Sequence, residues 1–143
     1  MYKADQIADY IVARCIDTSC PISNLQLNKI MYFVQKDFLS DSTDGLIEED
    51  FEAWQYGPVM PQVYSKYWAF GGMYILLRPL NIIELPLKIK ARIDNIVDEK
   101  KLLSPWALVA ETHKKGGAWD FVYRNGAGNH NIITKQIIKE RDC

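Results

Sequence analysis

The chain offers few groups that could do covalent chemistry: His113 and His130, three cysteines at 15, 20 and 143, and carboxylates scattered along 143 residues. Serine hydrolysis needs a nucleophile on a sharp turn beside an activating imidazole, and no Gly-x-Ser-x-Gly occurs. Zinc needs three or four converging Cys or His ligands, whereas the five candidates are scattered along the chain. No metal site is expected. In "SDSTDGLIEEDFE", Gly45 as the sixth residue of a calcium loop would put Ser40 and Ser42 where Asp is required, so the stretch reads as a solvated loop. No glycine-rich phosphate cradle follows a strand, and no cofactor is implied. Glu111 and His113 are close in sequence, but at i and i+2 on a helix they do not face each other. His113 is read as a structural residue at a helix C-terminus, where partial positive charge is favoured.

What the chain has instead is a stretch suited to contact. "FEAWQYGPVMPQVYSKY" carries Phe51, Trp54, Tyr56, Tyr64 and Tyr67 around Pro58 and Pro61. Large aromatics collect in cores or in interface hot spots, and prolines fix the backbone between them. A rigid turn aiming Trp54, Tyr56 and Tyr64 fits a preorganised binding surface, and equally a core. Truncating Trp54 separates the two, with a loss of roughly 3 to 5 kcal/mol of stability if the ring is in the core.

The elements that position these groups can be read from periodicity and caps. Ala4, Ile7, Ala8, Ile11 and Cys15 recur at helical spacing and predict an opening amphipathic helix. Ser23 followed by Gln26 forms a capping box for a second helix from about Asn24, with Ile22 stapling onto Leu27. That helix puts Leu27, Ile30, Met31, Val34 and Phe38 on one side and Leu25, Lys29 and Lys36, flanked by Tyr32 and Phe33, on the other. Two sticky faces mean a helix sandwiched between layers, or one showing Lys29 and Tyr32 to a partner. "DFEAWQY" alternates as a short strand ending at a Gly57-Pro58 turn. Pro61 then opens a helix, striped by Val63, Tyr64, Tyr67 and Phe70, that closes at Gly71-Gly72. "MYILLRPLNII" is expected to pair with the Phe51 strand as an edge, because Pro79 removes a ladder donor. A helix over about 86–101 follows, then one capped by Ser104-Pro105 and running to Gly116-Gly117, the loop "RNGAGNHN", and a last short helix with Ile137 and Ile138.

Length and composition fit one soluble domain spanning residues 1–143, mainly α, a single compact helical domain with a small antiparallel β element. Free cysteines without Cys-x-x-Cys suit a reducing compartment, and neither a secretory leader nor an apolar run of spanning length is present. A cytoplasmic protein without a membrane partner is expected. The net charge of −1 hides an asymmetry: residues 1–85 hold 6 Lys/Arg against 11 Asp/Glu, and residues 86–143 hold 11 against 7. The halves should attract each other, and so mild a balance argues against nucleic acid as partner.

Three blocks, "LQLNKIMYFVQ", "FEAWQYGPVMPQVYSKYWAFGG" and "ETHKKGGAW", resemble the Panacea domain of SocA-like and GepA-like phage-associated proteins, in the family's order and across nearly the whole chain. Leu27-Asn28-Lys29 followed by Ile30-Met31-Tyr32 replaces the usual Leu-Gln-Lys and Leu-Leu-Tyr; Gln35 stands where the family has Gln; and "KKGG" replaces a more acidic spacer between Thr112-His113 and Trp119. The resemblance implies a mostly helical antitoxin that binds and neutralises a co-encoded protein toxin, without cofactor or catalytic residues. On that reading Lys29, Tyr32, Trp54, Tyr56 and Tyr64 meet the partner, and Gly57, Pro58, Pro61, His113 and Trp119 are structural. Three alternatives stand beside it: an adaptor that hands the toxin to a protease, an enzyme using His113 with Glu111, Asp120 or Tyr32, and a regulator that binds DNA.

Overall fold

One helix organises the molecule. In the computed structural model, which describes residues 1–143, α2 (Asn24–Leu39) lies at the centre. The capping box forms as expected: the Ser23 hydroxyl accepts from the Gln26 N–H, and the Gln26 side chain accepts from the Ser23 N–H. Around α2 pack α1 (Ala4–Asp17), α3 (Pro61–Lys66), α4 (Leu87–Lys100), α5 (Pro105–Thr112) and α7 (Lys135–Asp142). The remaining helix, α6 (Ala118–Tyr123), packs on α7 and on a small sheet. The sheet is antiparallel, in the order β2 (Gly57–Val59), β1 (Phe51–Trp54), β3 (Ile132–Ile133). The fold is mainly α with a small antiparallel sheet, and no helix is long and apolar enough to cross a membrane.

Both faces of α2 are buried, so it is the sandwiched helix of the two expected alternatives. Leu27, Ile30, Met31 and Val34 enter a single 31-residue apolar cluster that includes residues of all seven α-helices. The polar positions face the other segments and satisfy their backbone. Asn28 Oδ1 accepts from Met60 N–H at 2.9 Å, Gln26 donates to the Leu103 carbonyl at 3.0 Å, and Asn24 donates to the Tyr64 carbonyl at 3.0 Å. Gln35 Oε1 accepts from both Leu46 and Ile47 N–H at 2.9 Å while its Nε2 donates to the Ile47 carbonyl. Buried polar groups persist only when paired. Here each pairing also pins a connecting segment against the central helix.

Three expectations are corrected. Gly57-Pro58 is not the turn but the start of β2; Gln55 and Tyr56 make the turn, and Trp54 lies opposite Gly57. The "MYILLRPLNII" stretch does not join the sheet, because β1 has only two edges, and β2 and β3 occupy them. It is tied down instead by a bridge between Tyr74 and Ser23 and by the Ile75 N–H to Ile22 carbonyl bond at 2.8 Å. The helix from Pro105 stops at Thr112, short of Gly116-Gly117. A turn through Gly116, whose N–H donates to Asp120, reverses the chain and starts α6. The charge asymmetry is used across the halves where Arg92 bonds Asp37 and Asp41 and Lys135 meets Asp50, while Arg14 pairs in the opposite sense with Asp94 and Asp98.

Candidate functional site: an aromatic trough on the hairpin

The hairpin β1–β2 presents an aromatic surface and is held from below by buried polar groups. In the pair Ala53–Pro58, the backbone of Ala53 bonds away from β2: its N–H donates to the Asn131 carbonyl at 2.8 Å and its carbonyl accepts from His130 N–H at 2.6 Å. Proline therefore costs the ladder no donor at this edge position. The Pro58 carbonyl faces α2, where Lys29 Nζ donates to it at 2.9 Å. Gly57 is confined by the same contact. Its φ is 109°, and a Cβ there would lie 2.6 Å from Thr112 Oγ1 and 2.8 Å from Lys29 Cε, so glycine is required. On the other arm, Trp119 Nε1 donates to the Trp54 carbonyl at 2.7 Å.

Lys29 and Tyr32 were expected at the surface, and both are inside. Lys29 is 0% exposed, and its ammonium has no carboxylate partner, so burial pushes its pKa down to about 7. Tyr32 is 1% exposed and packs edge-on against Phe51, with its hydroxyl donating to Asp142. Burial and the neighbouring carboxylate raise its pKa. The physical reason for the correction is long-range: β2, α5 and α7 close over the second face of α2, and local periodicity does not say what covers it.

His113 sits at the C-terminal end of α5 as expected, but not as a cation. Burial, and then the nearby Lys29, push its pKa down, with Asp120 opposing. Its ring lies flat on Trp119, centroids 3.7 Å apart and planes 2° apart, and Trp119 stacks in turn on Tyr123. Nε2 is buried without a hydrogen-bond partner. Glu111 is paired with Lys100 at 2.9 Å, so the two form no acid–base couple. Pro61 takes the first position of α3. Nowhere do three His, Cys, Asp or Glu side chains converge in a way that could hold a metal ion.

The upper surface is different in kind. Trp54, Tyr56 and Tyr64 come together there, as the sequence suggested. Trp54 is half-buried, edge-on to Tyr64 at 5.1 Å and stacked on His130 at 4.5 Å, with its indole N–H donating to Glu52. Tyr56 is exposed and edge-on to Trp106 at 5.3 Å. Two hollows of about 280 and 480 Å³ adjoin along a shared ridge of Leu25, Tyr56 and Tyr64, and the second is walled by Trp68. Neither hollow has an Asp, Glu, Lys or Arg in its lining. The result is an uncharged trough, rimmed by Trp68 and Trp106 at 67% and 61% exposure. Such rings, amphipathic and stiff, supply contact area at little entropic loss.

Sequence reasoning missed Trp68, Trp106 and His130. Helical phase could have found the first two: Trp106 falls outside the buried Leu108, Val109 and Thr112 of α5, and Trp68 follows Tyr64 by four residues, away from Val63 and Tyr67. His130 carries no such signal. It reaches Trp54 because it, at φ 68°, and Asn131 both bond to Ala53 in the manner of a β-bulge.

Comparison with known proteins adds the following. The family described as antitoxin SocA-like, Panacea domain, matches residues 27–120, a span that holds Trp54, Tyr56, Tyr64, Trp68 and Trp106 but not His130. Antitoxin SocA of Caulobacter vibrioides (strain NA1000 / CB15N) is 33% identical over 152 aligned positions, covering 96% of this chain and 81% of that protein. No solved structure matches the chain.

Proposed function

The chain belongs to the antitoxin SocA-like, Panacea-domain family, and from that premise we propose that it neutralises a co-encoded protein toxin by binding it directly, through the aromatic trough. One observation supports the trough as the contact surface: Tyr56 stays exposed on a hairpin whose backbone is fixed from beneath by Lys29, Asn28 and Trp119, and Trp68 and Trp106 stay exposed beside it. Exposed large aromatics on rigid supports are the usual carriers of binding energy in protein interfaces, because little ordering remains to be done on association. Lys29 and Tyr32 then act indirectly, by holding the hairpin and α7 in place, rather than by touching the partner.

The test is growth of cells expressing the adjacent gene alone, with this chain, and with its Tyr56→Ala/Trp68→Ala/Trp106→Ala variant. The account expects arrest, rescue and renewed arrest, with the variant's circular dichroism unchanged. A neighbour that is harmless alone, or equally toxic beside the wild-type chain, removes the antitoxin reading. Full rescue by the folded variant removes the trough.

A further inference from the structure

We propose that Cys15 and Cys20 form a paired oxidation site at the end of α1, closed to a disulfide by hydrogen peroxide and reopened by thiols. The backbone brings the two together. Helix α1 ends with the Ser19 N–H on the Ile16 carbonyl at 3.0 Å and the Cys20 N–H on the Cys15 carbonyl at 2.9 Å, with Ser19 in the left-handed region at φ 58°. This is the Schellman arrangement, in which the third residue from the helix end and the second residue past its cap bring their side chains into contact. Here both positions are cysteine. The 2.9 Å bond also limits the separation: even with the flanking covalent bonds in line with it, the two Cα atoms lie no more than about 6.8 Å apart, within the reach of a disulfide. The third cysteine is no competitor within the chain. Cys143 Sγ donates to the Lys36 carbonyl at 3.3 Å, and Lys36 lies about 18 Å along α2 from Asn24, the end that Cys20 leads into.

Burial divides the work between the two thiols. Cys20 is partly exposed, its thiol donating to the Lys101 carbonyl at 3.7 Å, whereas Cys15 is fully buried. Burial pushes the Cys15 pKa up to about 12, with Lys101 opposing the rise and Cys20 adding to it. Cys15 therefore stays a thiol shielded from the oxidant, and Cys20 meets it first. The Cys20 thiolate attacks one peroxide oxygen and the O–O bond breaks; Cys20 becomes a sulfenic acid, and the departing hydroxide recovers the thiol's proton as water. The Cys15 sulfur then attacks Cys20 Sγ, the S–S bond forms as the S–O bond breaks, and the hydroxyl leaves with the Cys15 proton as a second water. Two thiols and one peroxide thus give one disulfide and two waters. The oxidised Cys20 no longer donates to Lys101, and the turn at the end of α1 is closed covalently. In a reducing compartment such a bond is transient, removed by thiol exchange once peroxide falls. The site is separate from the trough, since neither cysteine lines its hollows.

Peptide mapping of the full, folded chain after treatment with hydrogen peroxide tests this. Trypsin releases Cys15–Lys29 as one peptide carrying both cysteines. That peptide should be about 2 Da lighter, resist alkylation until reduced with dithiothreitol, and regain its mass on reduction. In Cys15→Ala nothing resolves the sulfenic acid, and the same peptide should instead gain about 32 Da as Cys20 goes on to the sulfinic acid. The oxidised wild type should keep its circular dichroism and unfold at a higher urea concentration than the reduced chain, as a bond that fits the native backbone requires. A wild-type peptide that gains oxygen without losing two hydrogens overturns the proposal, as does a Cys20 that does not react or a bond to Cys143. A lower urea midpoint for the oxidised chain also overturns it, because the disulfide would then form only by pulling the end of α1 apart.

Discussion

Replacing Lys29 with methionine should change how stability depends on pH. The amine is fully buried, its hydrogen bond goes to a carbonyl and not to a carboxylate, and burial lowers its pKa from 10.5 to about 7. In the unfolded chain the amine keeps its proton up to about 10.4. Between those limits the unfolded state binds one more proton than the folded state, so stability rises with pH, by up to about 1.4 kcal/mol per pH unit. The full effect is on the order of 5 kcal/mol, a large part of the roughly 7 to 20 kcal/mol expected for a chain of this length. Below pH 7 both states hold the proton and the slope from this group vanishes. His113, whose pKa is pushed below its ordinary 6.5, adds a slope of the same sign in the acid range. Cys15, pushed up to about 12 by burial, opposes the trend from about pH 9, and Tyr10 and Tyr67, raised by burial and by carboxylate partners, from about pH 10; these contributions are common to wild type and Lys29→Met and drop out of the difference between their curves. The informative window is therefore pH 7 to 9.5. The assay is urea unfolding followed by tryptophan fluorescence in half-unit pH steps, for wild type and Lys29→Met, with equal m-values required. Lys29→Met also strands the Pro58 carbonyl, which shifts its whole curve by about 1 to 3 kcal/mol without adding a slope. The expected result is a difference between the two curves that changes by about 3 kcal/mol across the window. Parallel curves would refute the reasoning, since they would mean that Lys29 keeps its proton in the fold.

Two further outcomes follow from the same hairpin. Gly57→Ala combines a disfavoured φ with overlap onto Thr112 and Lys29, and should lower stability by about 3 kcal/mol in the same urea assay; a loss below about 0.5 kcal/mol would mean that the hairpin does not press on α2. Trp54→Ala removes a half-buried ring stacked on His130 and Tyr64, and should lose about 2 kcal/mol, less than a fully buried tryptophan; a loss above about 4 kcal/mol would place the ring in the core.

What could be read from sequence was what is set locally. The Ser23–Gln26 box, the Ala4-to-Cys15 stripe, Pro61 opening its helix and the Ser104 cap all depend on residues within about one turn of each other, and each formed. Ile132–Ile133 was not legible as a strand, because two residues show no alternation; its pairing comes from the chain returning past Phe51. Lys29 was misread for the same reason in reverse. Its sequence neighbours left open whether that face meets a layer or a partner, while burial comes from Pro58, Thr112 and His113, contributed by segments far along the chain. The candidate site divides the same way. Trp54, Tyr56 and Tyr64 stood out beside a rigid Gly-Pro, whereas Trp68, Trp106 and His130 join them only once α2 has drawn the loops together.

The most direct measurement is calorimetric titration of the purified chain with the product of the adjacent gene, for wild type and for Trp68→Ala/Trp106→Ala. The account predicts saturable binding by the wild type and a loss of at least about 30-fold in affinity for the variant, as hot-spot aromatics of about 2 kcal/mol or more would give. Equal affinities for the two chains, or no heat of binding from the wild type, would contradict it.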